Sequence, residues 1–176
     1  MKSRVLAAGT AAVLCLLLAG NALARNPHCA GGIQYVMQGL RDKEKGNTED
    51  YQREMNKAVD QLSSCATEDE GDFEALGYLG WAYAELDSCG PAGEWFAKAI
   101  AAGNAKGDKK KVALIETNRD HYWTMRYNDG IAAIQTAQSA YPDFTKKPAD
   151  EEKELYAAAK TSYETALLKL TQAKFL

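Results

Sequence analysis

The thiols of Cys29, Cys65 and Cys89 and the imidazoles of His28 and His121 are the side chains best suited to nucleophilic, acid–base or metal chemistry. A reactive thiol needs a neighbour that lowers its pKa, such as a histidine, a cation or a CxxC partner. Cys89 sits in Ser88-Cys89-Gly90-Pro91 with none of these close in sequence, so it reads as an inert thiol at a turn. His28, Cys29 and Cys65 lack a fourth ligand and the spacing of a zinc site. His121 reads as a core or half-buried packing residue and not as a general base. No Gly-rich phosphate loop, CxxCH, HExxH or GxSxG occurs, and acidic pairs such as Glu68 and Asp69 fall in a loop. The sequence therefore predicts no catalytic residue, no cofactor and no metal site, and the chain does not read as an enzyme.

The elements that place these residues come after a leader. Residues 1–24, MKSRVLAAGTAAVLCLLLAGNALA, open with Lys2 and Arg4, continue with an apolar run from Val5 to Ala19 and end on Ala22-Leu23-Ala24. That order is a cleavable secretory signal, with cleavage expected before Arg25. The run is too short for a confident membrane span, and no cysteine follows Leu18-Ala19-Gly20, where a bacterial lipoprotein signal would place one. The expected location is the periplasm or the exterior of a bacterial cell, without stable membrane insertion. Removing Lys2 and Arg4 from the 21 basic residues leaves 19 against 24 acidic ones, a balance that argues against nucleic-acid binding. The acidic run TEDEGD (67–72) and the basic run KGDKKK (106–111) read as solvated loops.

Residues 25–176 read as one all-α domain. From Asp72 to Gly103 apolar residues recur at three and four spacings, and the rhythm breaks only at Ser88-Cys89-Gly90-Pro91, where Gly closes one helix and Pro opens the next. Similar two-helix patterns flank Gly46-Asn47 upstream and Asn128-Asp129 downstream. No stretch shows strand alternation.

Leu76, Leu79-Gly80, Tyr83, Ala92, Phe96 and Ala99 stand in an order and spacing that resembles a tetratricopeptide repeat over residues 73–106. Gly80, Ala92 and Ala99 would let two antiparallel helices approach, with Tyr83 and Phe96 filling the gap. The window 111–144 matches in Leu114, Gly130, Ile134, Ala137 and Pro142, with His121 in the tyrosine slot. The window 32–65 keeps Tyr35, Gly39, Met55 and Ala58. The resemblance implies a solenoid of about three helical hairpins. A helix over about 149–174, with an apolar stripe of Leu155, Tyr163, Leu167 and Leu170, would cap its end.

The two-helix reading of residues 32–65 brings Cys29 and Cys65 to the same end of a hairpin and leaves Cys89 at the opposite end, which predicts a Cys29–Cys65 disulfide. Cys89 is then the odd thiol, a candidate for bridging between copies, and the oligomeric state stays open.

Tetratricopeptide arrays typically bind extended peptides or helices on a concave face lined by the first helix of each repeat. Carried over position by position, that face would include Val36, Leu40, Trp81, Glu85, Ile115, Arg119 and Tyr122. The resemblance thus implies a non-catalytic adaptor for an unidentified envelope or secreted protein. The alternatives are a self-associating structural module, or an accessory domain of an envelope enzyme system. The C-terminal helix could also fold into the groove and fill it.

Overall fold

Residues 25–176 are described by a computed structural model. Each helix start in it has a local cause. The Asn26 side chain accepts from the His28 N–H and Pro27 occupies the first turn, starting α1 (Pro27–Glu44). Helix α2 (Thr48–Glu68) begins with Glu49 and Asp50 near its positive end. Asp72 caps α3 (Phe73–Glu85) by accepting from the Ala75 N–H, and α4 (Cys89–Ala105) carries Pro91 in its first turn. Asp108 caps α5 (Lys109–Ala140) through the Lys111 N–H. A single 3₁₀ turn (Asp150–Glu152) leads into α6 (Lys153–Phe175). The described residues contain these six helices and no strand.

Helices neighbouring in sequence pack as antiparallel pairs, α1 with α2, α3 with α4 and α5 with α6, and α3 also lies against α1, α2 and α5. The main core runs through the first two pairs and onto α5, with Val36, Met55, Leu62, Leu79 and Phe96 fully buried. A Cβ on Gly80 would lie 2.9 Å from the Phe96 ring and 3.1 Å from the Ala92 carbonyl. Gly80 is therefore the position that lets α3 and α4 close on that ring. The disulfide links Cys29 to Cys65, both inaccessible, at the start of α1 and near the end of α2.

The third hairpin differs from the sequence reading. The expected break at Asn128-Asp129 is absent, and α5 runs through it for 32 residues. Its return partner is α6, so α6 is the second arm of the third hairpin instead of a cap laid over a finished one. Gly130 is the reason a helix signal there looked like a turn. A Cβ at that position would lie 2.7 Å from the Leu170 side chain, so this glycine serves helix contact and not chain reversal. The buried seam of α6 is Ala159, Ala166 and Ala173, seven residues apart, which face α5 at close range. Leu155 and Leu167, expected in the inward stripe, are exposed, Leu167 by 70%. Tyr163 is half-buried and joins Tyr156, Phe144 and Tyr141 in a small aromatic core at the loop end of the hairpin.

The register of α5 also departs from the window 111–144. Leu114 is 60% exposed and His121 is exposed, whereas Val112, Ile115 and Tyr122 point inward. Val112 is drawn in because Gly103 of α4 has no side chain; a Cβ there would lie 2.6 Å from a Val112 methyl. None of the helices among the described residues is long and apolar enough to cross a membrane. The leader, residues 1–24, lies outside the described residues.

Candidate functional site

Helices α1, α3 and α5 lie side by side, and where they meet the chain builds a polar relay beneath an apolar cleft. Trp81 of α3 donates its indole N–H to the Tyr122 hydroxyl of α5 at 2.8 Å. Tyr122 donates onward to Glu85 Oε1 at 2.5 Å. The other carboxylate oxygen of Glu85 accepts from Lys43 of α1 at 2.6 Å and from Tyr51 of α2 at 2.7 Å. One buried carboxylate thus ties together four helices from all three hairpins.

The electrostatics follow from this wiring. Burial raises the Glu85 pKa, but the hydrogen bonds from Lys43, Tyr122 and Tyr51 outweigh it and hold the carboxyl below its ordinary value. Burial first, then the Glu85 hydrogen bond and charge, push the Tyr122 and Tyr51 hydroxyls well above the usual tyrosine range. Both phenols therefore stay neutral donors at any physiological pH. The arrangement holds a shape by setting neutral phenol donors on an ionised carboxylate.

Beside the relay, α3 and α5 part slightly to form a cleft lined by Glu74, Gly77, Tyr78, Trp81, Lys111, Leu114, Ile115 and Asn118. Its volume is ≈ 70 Å³, which suits one side chain and falls short of the hundreds of Å³ typical of a cofactor site. Tyr78 stacks on Trp81 with ring centroids 5.7 Å apart and planes at 21°. With its N–H fixed on Tyr122 and its ring backed by Tyr78, Trp81 is held in a single orientation at the cleft wall. Lys111 bridges to Glu74 at 3.0 Å across one end.

Of the seven residues placed on the concave face by the sequence, Trp81 and Ile115 line this cleft. Glu85 and Tyr122 form the relay under it, and Arg119 lies on α5 paired with its neighbour Asp120. Val36 is fully buried in the core, and Leu40 is half-buried against it. Tyr78, Leu114 and Asn118 also line the cleft and escaped the sequence reading. Tyr78 precedes the Leu79-Gly80 pair of the repeat pattern, and Leu114 stands in a slot that the pattern turns inward. The C-terminal helix does not fill the cleft, since among the described residues α6 contacts only α4, α5 and the 3₁₀ turn.

The remaining reactive side chains are placed apart. Cys89 is free and buried at the first turn of α4. His28 pairs with Glu68 at 2.8 Å on the surface. Asp72 lies within 4.8 Å of both disulfide sulfurs, where it also accepts from Arg25 at 2.6 and 2.8 Å. With both sulfurs in the disulfide, this trio offers no thiolate to a metal.

No protein-family model matches the chain, and neither a curated protein nor a solved structure matches it. The repeat resemblance therefore rests on the residues and on the pairing of the helices alone.

Proposed function

We propose that the protein is an exported, non-catalytic adaptor of tetratricopeptide-like architecture that binds a peptide or helix of a partner protein in the cell envelope. The observation that carries this reading is the fixed aromatic wall of the α3–α5 cleft. Trp81 is half-buried, oriented by Tyr122 and Tyr78, and faces an exposed Leu114 across a gap the size of one side chain. Rigid aromatics beside an exposed aliphatic group are the composition of binding hot spots, because ordering them on binding costs little entropy. The disulfide fits an oxidising compartment such as the periplasm or the exterior. Of the seven concave-face positions, Trp81 and Ile115 line the cleft and Arg119 lies on the same helix as Ile115; Tyr122 and Glu85 hold Trp81 from beneath, and Val36 and Leu40 belong to the core.

A photo-crosslinking residue at Leu114, compared with one at Leu168 on the outer face of α6, tests the reading in the native envelope. Crosslinks to a distinct protein from position 114 and not from position 168 support the adaptor. Equal crosslinking at both positions, or crosslinks only to a second copy of the chain, favours the self-associating alternative. The buried state of Cys89 argues against a bridge through that thiol without local opening.

A further inference from the structure

We infer that the segment received by the α3–α5 cleft is acidic, with one apolar side chain seated between Trp81 and Leu114 and carboxylates lying along α5; this rests on the adaptor reading above. The argument is the distribution of charge. At 100° per residue the solvent-facing side of α5 at the rim of the cleft carries Lys110, Lys111, Leu114, Thr117, Asn118 and His121, of which Lys111, Leu114 and Asn118 line the cleft itself. There is no carboxylate among them, although the chain as a whole has more acidic than basic residues. The acids of the same stretch, Glu116 and Asp120, project from the opposite side of the helix.

The cations are also less compensated than the acids. On the α3 wall the half-buried carboxylate of Glu74 is already shared between Lys111 at 3.0 Å and Arg25 at 3.5 Å. Glu85, further along α3, is buried and saturated by its three donors. Lys110 is exposed and enters no ion pair among the described residues. It stands with Lys111 in the first turn of α5, where the helix end is itself positive and cations are disfavoured. A negatively charged segment crossing this turn would relieve that repulsion while its apolar side chain fills the gap beside Trp81.

The test uses residues 25–176 and three pools of fluorescein-labelled dodecapeptides, each with a central Leu, Phe or Trp. The flanking residues are Asp/Glu, Lys/Arg or Ser/Gln. The expected result is that the acidic pool binds tightest by fluorescence anisotropy and weakens as salt is raised. Lys110→Glu should weaken acidic-pool binding by about three- to tenfold, the span of a reversed exposed contact. Lys174→Glu on α6 should leave it unchanged, and Leu114→Gln, an exposed change that spares the core, should reduce binding of every pool. Equal or tighter binding of the neutral or basic pool, or indifference to Lys110→Glu, overturns the acidic partner while leaving the cleft in place if Leu114→Gln still weakens binding. Binding of no pool, or binding indifferent to Leu114→Gln, removes the cleft reading and this inference with it.

Discussion

Trp81 and Tyr122, 41 residues apart, meet at 2.8 Å, with the indole N–H donating to the phenol oxygen and the phenol O–H donating in turn to Glu85. This contact fixes a side chain of the cleft by means of a buried one beneath it. The stability of the hairpin junction and the shape of the cleft therefore depend on the same few atoms.

Tyr122→Phe keeps the ring and removes the link. The indole N–H of Trp81 loses its acceptor and Glu85 loses a donor, which should cost about 1–3 kcal/mol in denaturant unfolding. Tyr51→Phe removes a different donor to the same carboxylate, so the two changes should be non-additive in a double-mutant cycle. Strict additivity would show that Glu85 is not the shared acceptor.

Acid sensitivity follows from Glu85. Its folded-state pKa lies below the ordinary carboxylate value because the three donors outweigh burial, so its stabilisation is complete above the ordinary value and disappears as pH falls through the folded one. The unfolding midpoint should thus decline below about pH 4.5. Asp72, held low by Arg25 and the Ala75 N–H against its own burial, contributes a decline of the same sign. Glu85→Gln should flatten the slope and lower the plateau; an unchanged slope would place the acid sensitivity elsewhere.

The first two hairpins were legible in the sequence from their packing residues and the Gly46 turn, although α3 closes at Asp87 and not at Gly90, which already lies in the first turn of α4. Gly80, Ala92 and Phe96 meet as the repeat spacing implies, and Cys29 and Cys65 are joined at one end of the first hairpin. The third hairpin was misread because a glycine that admits a neighbouring helix has the same local signature as one that ends a helix. Asn128-Asp129-Gly130 looked like a turn, yet Asp129 lies 3.9 Å from Arg126 one turn back and Gly130 faces Leu170. A one-residue shift of the inward face in α5, from Leu114 and His121 to Ile115 and Tyr122, left the cleft lining only partly visible. In α6 the alanines form the buried seam while Leu155, Leu167 and Leu168 are exposed, the reverse of what side-chain hydrophobicity alone implies.

Gly130→Ala tests that account of α5. Helix propensity alone would favour the alanine by about 1 kcal/mol, but its Cβ would meet the Leu170 side chain and push the helices apart, at about 1–3 kcal/mol. A net loss of stability is expected, and Leu170→Ala in the same chain should recover part of it. Simple stabilisation by Gly130→Ala would mean that α6 does not lie where it has been placed.

Asp87 closes α3 in the left-handed region at φ 58°, with the Ser88 N–H donating to the Tyr83 carbonyl at 2.9 Å, and its carboxylate pairs with the buried Arg126 of α5. Asp87→Gly keeps the backbone at ease and loses the pair; Asp87→Ala loses both. The alanine variant should be less stable than the glycine variant by about 1 kcal/mol by thermal or denaturant unfolding. The reverse order would exclude backbone strain as the constraint at this turn.

Reduction of Cys29–Cys65, or replacement of both by serine, should lower stability by about 3–4 kcal/mol, the chain-entropy effect of a loop of this length. Cys89 should resist thiol reagents until the protein unfolds, since only 4% of it is accessible. Rapid labelling of Cys89 in the native protein would contradict its placement.

The three tryptophans report on three different surfaces: Trp81 at the cleft, Trp95 against Lys98 on α4 and Trp123 stacked on Tyr127 along α5. The most direct measurement of the central claim is a ¹H–¹⁵N spectrum of the indole resonances while the segment crosslinked from position 114 is added as a synthetic peptide. The Trp81 resonance should shift in proportion to occupancy while those of Trp95 and Trp123 stay in place. Movement of Trp95 or Trp123 with Trp81 unchanged would contradict docking at the α3–α5 cleft.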